Sequence, residues 1–137
     1  MSNRQIIAVF GVIQNAEGKI LMQKRCQPTM PEVHDKWEFP GGGVDFGDAP
    51  ETTLVRECKE EIGCTVVPER LLPVLEQHVW QHVNRPSVQI FLFCYLCHIS
   101  EGEPRVCDPE VSEVRWCTKD EAYALDLMPG VKPFLDI

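Results

Sequence analysis

Three glutamates, Glu57, Glu60 and Glu61, stand at i, i+3 and i+4. On a helix of about 3.6 residues per turn that spacing puts all three on one face, while Leu54, Val55, Cys58 and Ile62 fall on the other. Arg56 lies among the acids, and a Gly41-Gly42-Gly43 turn precedes them. Like-charged neighbours at this spacing repel by only about 0.2–0.5 kcal/mol a pair, so exposed glutamates alone do not demand a cation. The glycines change the reading, because backbone without side chains can approach a metal or a phosphate closely. Oxygen-only ligands of this kind suit Mg2+ or Mn2+ and not zinc. The chemistry indicated is handling of a phosphate chain through divalent metal.

The helix carrying these acids has its own start and stop signals. Asp48 is expected as N-cap, with Pro50 in the first turn, Glu51 at the capping-box position and Gly63 as the C-terminal stop. Before it, strands are expected near 6–14 and 18–25, joined by the Asn15-Ala16-Glu17-Gly18 turn, then a proline-rich loop and a short strand at 37–39. After it come strands near 64–80, 88–99 and 113–117, a helix capped by Thr118 and running to about Leu125, and a short helical turn within 129–135. Strands and helices mixed in this order predict an α/β fold, a sheet between helical layers.

Composition bounds the function. The 137 residues are 44% hydrophobic, enough for one domain with a real core spanning 1–137. A net charge of −8 argues against a nucleic-acid binder working by phosphate neutralisation. No apolar run reaches membrane-spanning length and the N-terminal stretch lacks the pattern of a secretory signal, so a cytoplasmic protein without membrane association is expected. The seven cysteines read as reduced core thiols; Cys94 and Cys97, three apart in one apolar strand, point to opposite faces. Of the histidines, only His78 or His82 is given a role, a contact in a loop near substrate.

Residues 42–64 match the pattern Gx5Ex7REUxEExGU, U being apolar, through Gly42, Arg56, Glu57, Cys58, Glu60, Glu61, Gly63 and Cys64. Eight of its nine specified positions are met, Asp48 standing where the pattern has glutamate. The chain therefore resembles the Nudix hydrolases, and Trp37-Glu38-Phe39-Pro40-Gly41 is similar to the run that leads into the box in many members. The resemblance implies an alpha/beta/alpha sandwich with a mixed sheet. It also implies metal ligands at Glu57, Glu60 and Glu61 with the Gly41 carbonyl added, and Arg56 orienting a carboxylate. The reaction implied is attack of water on one phosphorus of a nucleoside diphosphate derivative, with Mg2+ or Mn2+ as cofactor.

The resemblance further implies a base in the loop before a late strand. Glu110, six residues before Trp116, is preferred to Glu113. Lys24 and Arg25 match positions that meet phosphate or nucleotide in relatives, the alternative being strand-end cations. Trp37 and Phe39 either stack a base or pack the core. Members that sanitise oxidised guanine nucleotides carry an asparagine where this chain has Val131, which argues against a strong preference for that base. The expectation is thus a pyrophosphohydrolase of a nucleoside triphosphate or related nucleotide. An ADP-ribose or nucleotide-sugar pyrophosphatase and a non-catalytic nucleotide sensor are the alternatives, and a homodimer is left open.

Overall fold

The computed structural model describes residues 2–137. Two sheets carry the fold. Strands β1 (Arg4–Ile13), β4 (Gly41–Gly43), β5 (Thr65–Leu71), β6 (Glu76–Trp80) and β7 (Val88–Glu101) form a mixed sheet in the order β4-β1-β7-β5, with β6 also on β7. The β1–β7 pair is parallel and the other pairs are antiparallel. Strands β2 (Ile20–Arg25), β3 (Trp37–Glu38) and β8 (Val111–Cys117) form a second, antiparallel sheet. The helices are α1 (Pro50–Ile62), α2 (Lys119–Tyr123) and α3 (Lys132–Leu135).

Two cores follow from the period-2 alternation of the strands. Ala8, Phe10 and Val12 of β1 point into one, with Met22, Trp37, Phe39, Leu92, Cys94 and Phe134. Val9 and Ile13 point into the other, where Leu54, Cys58 and Ile62 bring the apolar stripe of α1 down. Cys94 and Cys97 accordingly lie in different cores. The mixed α/β architecture matches the expectation, and among the described residues no helix is long and apolar enough to cross a membrane.

Four local readings are corrected. The stretch expected as one strand at 64–80 divides into β5 and β6, because Pro73 interrupts it without a donor and the 14-residue β7 is long enough to pair with both pieces. The Gly41-Gly42-Gly43 turn is instead a strand lying against β1. Ala49, not Asp48, is the N-cap of α1, and it makes no side-chain cap bond. The chain turns earlier, with the Asp48 N–H on Asp45 O, and Pro50 then fixes the first helical position. Finally, Cys107 is exposed and Cys26 half-buried; only the other five thiols are core, and all seven are free. The other signals hold. Gly63 ends α1 at φ 71°, and Thr118 caps α2 in a reciprocal box with Glu121.

Candidate active site at the glycine strand and the acidic helix

Strand β4 carries glycine at positions 41 and 42 because their neighbours leave no room. A Cβ at Gly41, which sits at φ 152°, would lie 2.1 Å from the Val9 carbonyl oxygen. One at Gly42 would lie 2.9 Å from Cδ of Glu57. The absence of side chains thus lets α1 press its acidic face onto the strand. The Gly41 N–H donates to Oε1 of Glu61 at 2.9 Å, and the Gln23 amide on β2 is a second donor toward that carboxylate.

The electrostatics are those of crowded acid. Burial first, then the charges of Glu38 and Glu57, push the Glu61 carboxyl up to about 8 despite the two donors. Burial and the neighbouring Glu60 also raise Glu57, opposed by Arg56. Arg56 stands 3.5 Å from Asp48, so the ion pair survives the shorter side chain. Among the described residues no three His, Cys, Asp or Glu side chains form a ready-made cage for a metal. The donor set nonetheless fits a hard divalent cation, being all oxygen, crowded by like charge and seated on a strand with no side chains in the way.

Beside this cluster lies a largely apolar cavity of about 370 Å3. Phe39, Leu92, Val131 and Phe134 form part of its wall, Met30 and Val33 come from the loop after β2, and His78, Trp80 and His82 from β6 and the turn beyond. Arg25 and Glu38 line it too, and they connect it to the acids. Arg25 donates to both carboxylate oxygens of Glu38, Nε at 2.7 Å and Nη2 at 3.0 Å, while the charges of Glu61 and Glu110 act on the same guanidinium. Gln23 and Glu38 are directly opposed in the β2–β3 register, so Gln23, Arg25 and Glu38 share one face of the small sheet. A wider groove of about 630 Å3, lined by Asn15, His98 and Glu101 among others, contains none of the α1 carboxylates.

The segment before β8 is stapled to the end of α1. Arg105 N–H donates to Ile62 O and Cys107 N–H to Glu61 O, satisfying carbonyls that the last helical turn leaves free. The segment then reaches β2, where Glu110 O accepts from Cys26 N–H at 2.7 Å. Glu110 acts on Arg25, and Asp108 acts on Glu57.

The structure therefore brings together Gly41, Glu57, Glu60 and Glu61 on the β4–α1 junction, with Arg56 on Asp48 and Glu110 on the Arg25 side. Phe39 and Arg25 reach the cavity, and so do both His78 and His82. Lys24 does not line it; it lies 3.9 Å from Asp35 and opposite Glu113 in the sheet. Trp37 is core, 5% exposed, with the Arg115 guanidinium 4.7 Å above its ring. Glu113 pairs with Arg115 at 2.7 Å. Sequence reasoning missed Gln23, Glu38 and Asp108. The alternation Gln23, Arg25 on one strand was a usable signal for the first; nothing local marked Asp108.

Comparison with known proteins agrees with this geometry. The NUDIX domain model matches residues 4–136. The chain is 30% identical over 132 residues to an 8-oxo-dGTP diphosphatase of Escherichia coli, covering 96% of this chain and 95% of that protein. It is 27% identical over 132 residues to a CTP pyrophosphohydrolase of the same organism, covering 96% and 90%. Among solved structures, a MutT NUDIX hydrolase from Burkholderia pseudomallei superposes with a TM-score of 0.77 at 28% identity, covering 96% of each chain. With the family model spanning nearly its whole length and the acidic helix folded onto its glycine strand, this chain belongs to the NUDIX family of hydrolases.

Proposed function

We propose that this Nudix hydrolase cleaves the pyrophosphate linkage of a nucleoside triphosphate, with Mg2+ as its working metal and Mn2+ as a substitute. The observation that carries the reading is the continuity of the site. An apolar cavity sized for a nucleoside opens beside the Arg25–Glu38 pair, and that pair adjoins the acidic face of α1. A nucleoside in the cavity then directs its phosphates past Arg25 toward Glu57, Glu60 and Glu61.

Glu57, Glu60 and Glu61 would hold the metal, with the Gly41 carbonyl as a further oxygen. Bound there, a divalent cation supplies an activated water and neutralises charge on the leaving phosphate. Arg56, held by Asp48, keeps Glu57 in place. Gly41 N–H and Gln23 hold Glu61 against the strand. Glu110 takes the proton of the attacking water, with Asp108 as the neighbouring acid on the Glu57 side. Phe39 and the rings of His78 and Trp80, their centroids 4.4 Å apart, shape the base site. Val131 in that wall offers no side-chain hydrogen bond, which favours base tolerance over selection of oxidised guanine. The substrate is a small nucleotide; the free thiols suit the reducing cytoplasm.

The test is a panel of nucleoside triphosphates, nucleotide sugars, dinucleoside polyphosphates and ADP-ribose with Mg2+ or Mn2+, reading pyrophosphate and phosphate release separately. Pyrophosphate release from several triphosphates is expected. Turnover confined to ADP-ribose or nucleotide sugars would replace this reading, and binding without any turnover would indicate a sensor. Glu57→Gln should lower turnover by on the order of a thousandfold, since it removes one negative ligand without changing shape. Glu110→Gln should lower it more than Asp108→Asn; the reverse ranking would move the base to Asp108.

A further inference from the structure

The loop between β2 and β3 and the turn between β6 and β7 meet at one side of the apolar cavity. Met30 and Val33 of the loop line it, and so do Trp80 and His82 on the side of the turn. Behind these two rings lies a second hollow of about 480 Å3, lined by Glu32, Arg85 and residues 80–84. Trp80 and His82 border both spaces, so the junction of loop and turn divides them.

Glu32 makes that junction. Its Oε1 accepts from Arg85 Nη2 at 3.1 Å and faces His82 Nε2 at 3.8 Å. The histidine itself is held in place. Its backbone N–H donates to Ser87 Oγ at 3.1 Å, and its Nδ1 lies 2.9 Å from Pro86 O. A carbonyl oxygen only accepts, so Nδ1 carries a proton. Nε2 is buried and has no hydrogen-bond partner among the described residues, an arrangement that is costly to leave unmade. An approach of about 1 Å would bring Nε2 and Glu32 Oε1 to ordinary hydrogen-bond distance. The loop can make that approach as one piece. Arg25 N–H on Lys36 O and Asp35 N–H on Arg25 O pin its base to the end of β2. Within the tip, Met30 N–H donates to Gln27 O, and the N–H groups of Val33 and His34 both donate to Met30 O.

We infer that Glu32 is a positioning residue, a clasp that fastens this loop over bound nucleotide. It closes onto His82 with Arg85 as its standing partner, and the same movement carries Met30 and Val33 onto the nucleoside. The inference rests on the reading of the cavity as the nucleoside site. Glu32 is not among the residues that line that cavity, so it acts through the loop. In the closed clasp a doubly protonated His82 donates to Pro86 O through Nδ1 and to Glu32 through Nε2. The other charged or titratable groups lining the ring's two spaces are Arg85 on the outer side and Arg4, Arg25, Glu38 and His78 on the cavity side.

Steady-state kinetics of the full chain with Mg2+ test this, with ATP, CTP, GTP and UTP as probes. Glu32→Gln should raise KM about threefold to tenfold for each triphosphate turned over, with kcat within about twofold and the melting temperature unchanged. Glu32→Arg should raise KM further. Combining it with Arg85→Glu should return KM to within about threefold of wild type, a rescue that a role in folding alone does not predict. His82→Asn keeps a donor where Nδ1 stands and removes Nε2. It should raise KM, and by a smaller factor once Glu32→Gln is present. An unchanged KM in Glu32→Gln, a failed charge-swap rescue, or independent effects of Glu32→Gln and His82→Asn each overturns the clasp while leaving the nucleotide reading intact. A wild type that neither binds nor hydrolyses any of the four removes the nucleotide reading, and the clasp with it.

Discussion

Gly42→Ala separates the chemistry of the site from its architecture, because the space around the three glycines of β4 differs so sharply. A Cβ at Gly42 would stand 2.9 Å from Glu57 Cδ and 3.2 Å from its Cγ and Oε1, where ordinary contact begins at 3.4 Å. Glu57 must therefore retreat by at least 3.4 − 2.9 = 0.5 Å. It can, since only a flexible side-chain end is displaced and Gly42 has no left-handed φ. A misplacement of about 1 Å in a catalytic group costs about a hundredfold, so half that displacement should cost at least about tenfold in turnover. Stability should change by less than about 1 kcal/mol, the rotamer cost at Glu57 offsetting the gain from a stiffer unfolded chain. Gly43→Ala is the neutral control, its nearest neighbour being Ile6 at 3.6 Å. Gly41→Ala is the structural control: backbone at 2.1 Å cannot yield, and the melt should fall by several kcal/mol. Thermal melts without metal, and initial rates against Mg2+ concentration, resolve the series. Should Gly42→Ala turn over at the wild-type rate with the wild-type metal dependence, Glu57 has no role that depends on its position.

Three further outcomes follow from named groups. Glu61, raised from 4.5 to about 8 by burial, keeps its proton in the folded chain while the unfolded chain gives it up. Its contribution is therefore full below pH 4.5 and lost as pH rises to 8, on the order of 5 kcal/mol in all. Metal-free wild type should lose melting temperature over that window more steeply than Glu61→Gln, and equal slopes would refute the assignment. Glu38→Gln leaves Arg25 without its bidentate partner in a largely buried site. We expect a loss of about 2–3 kcal/mol, discounted for the partly exposed guanidinium, and a raised KM; an unchanged melt would show the pair to be dispensable. Asp48→Ala should cost only about 0.2–1 kcal/mol, the worth of an exposed ion pair, because Ala49 holds the cap position. A loss of 2 kcal/mol or more in urea unfolding would restore Asp48 as a cap.

How much of this was legible in the sequence depends on how local the cause is. The acidic face of α1 and its apolar stripe follow from a 3.6-residue period, and Leu54, Cys58 and Ile62 are buried as that period requires. Gly63 and Thr118 act through bonds made within four residues, and both were readable. Asp48 was misread although its signal is also local, because two adjacent residues competed for one cap and Pro50 decided the register. The site beyond the helix is set by pairing between distant segments. Glu38 reaches Arg25 only because β3 lies against β2, and Asp108 reaches Glu57 only because the 105–107 backbone closes the end of α1. Trp37 and Lys24 show the same limit in reverse. Each has the chemistry for substrate, yet the β2–β3 register turns Trp37 into the core and Lys24 toward Asp35. Alternation supplies the physical reason: Gln23 and Arg25 face the acids, so Lys24 between them cannot. Once β2 is fixed as a strand with Arg25 on Glu38, the side of the sheet that meets phosphate is decided for every residue on it. The choice between Lys24 and Arg25 is thus a consequence of parity along one strand, and residue chemistry alone had no means of making it.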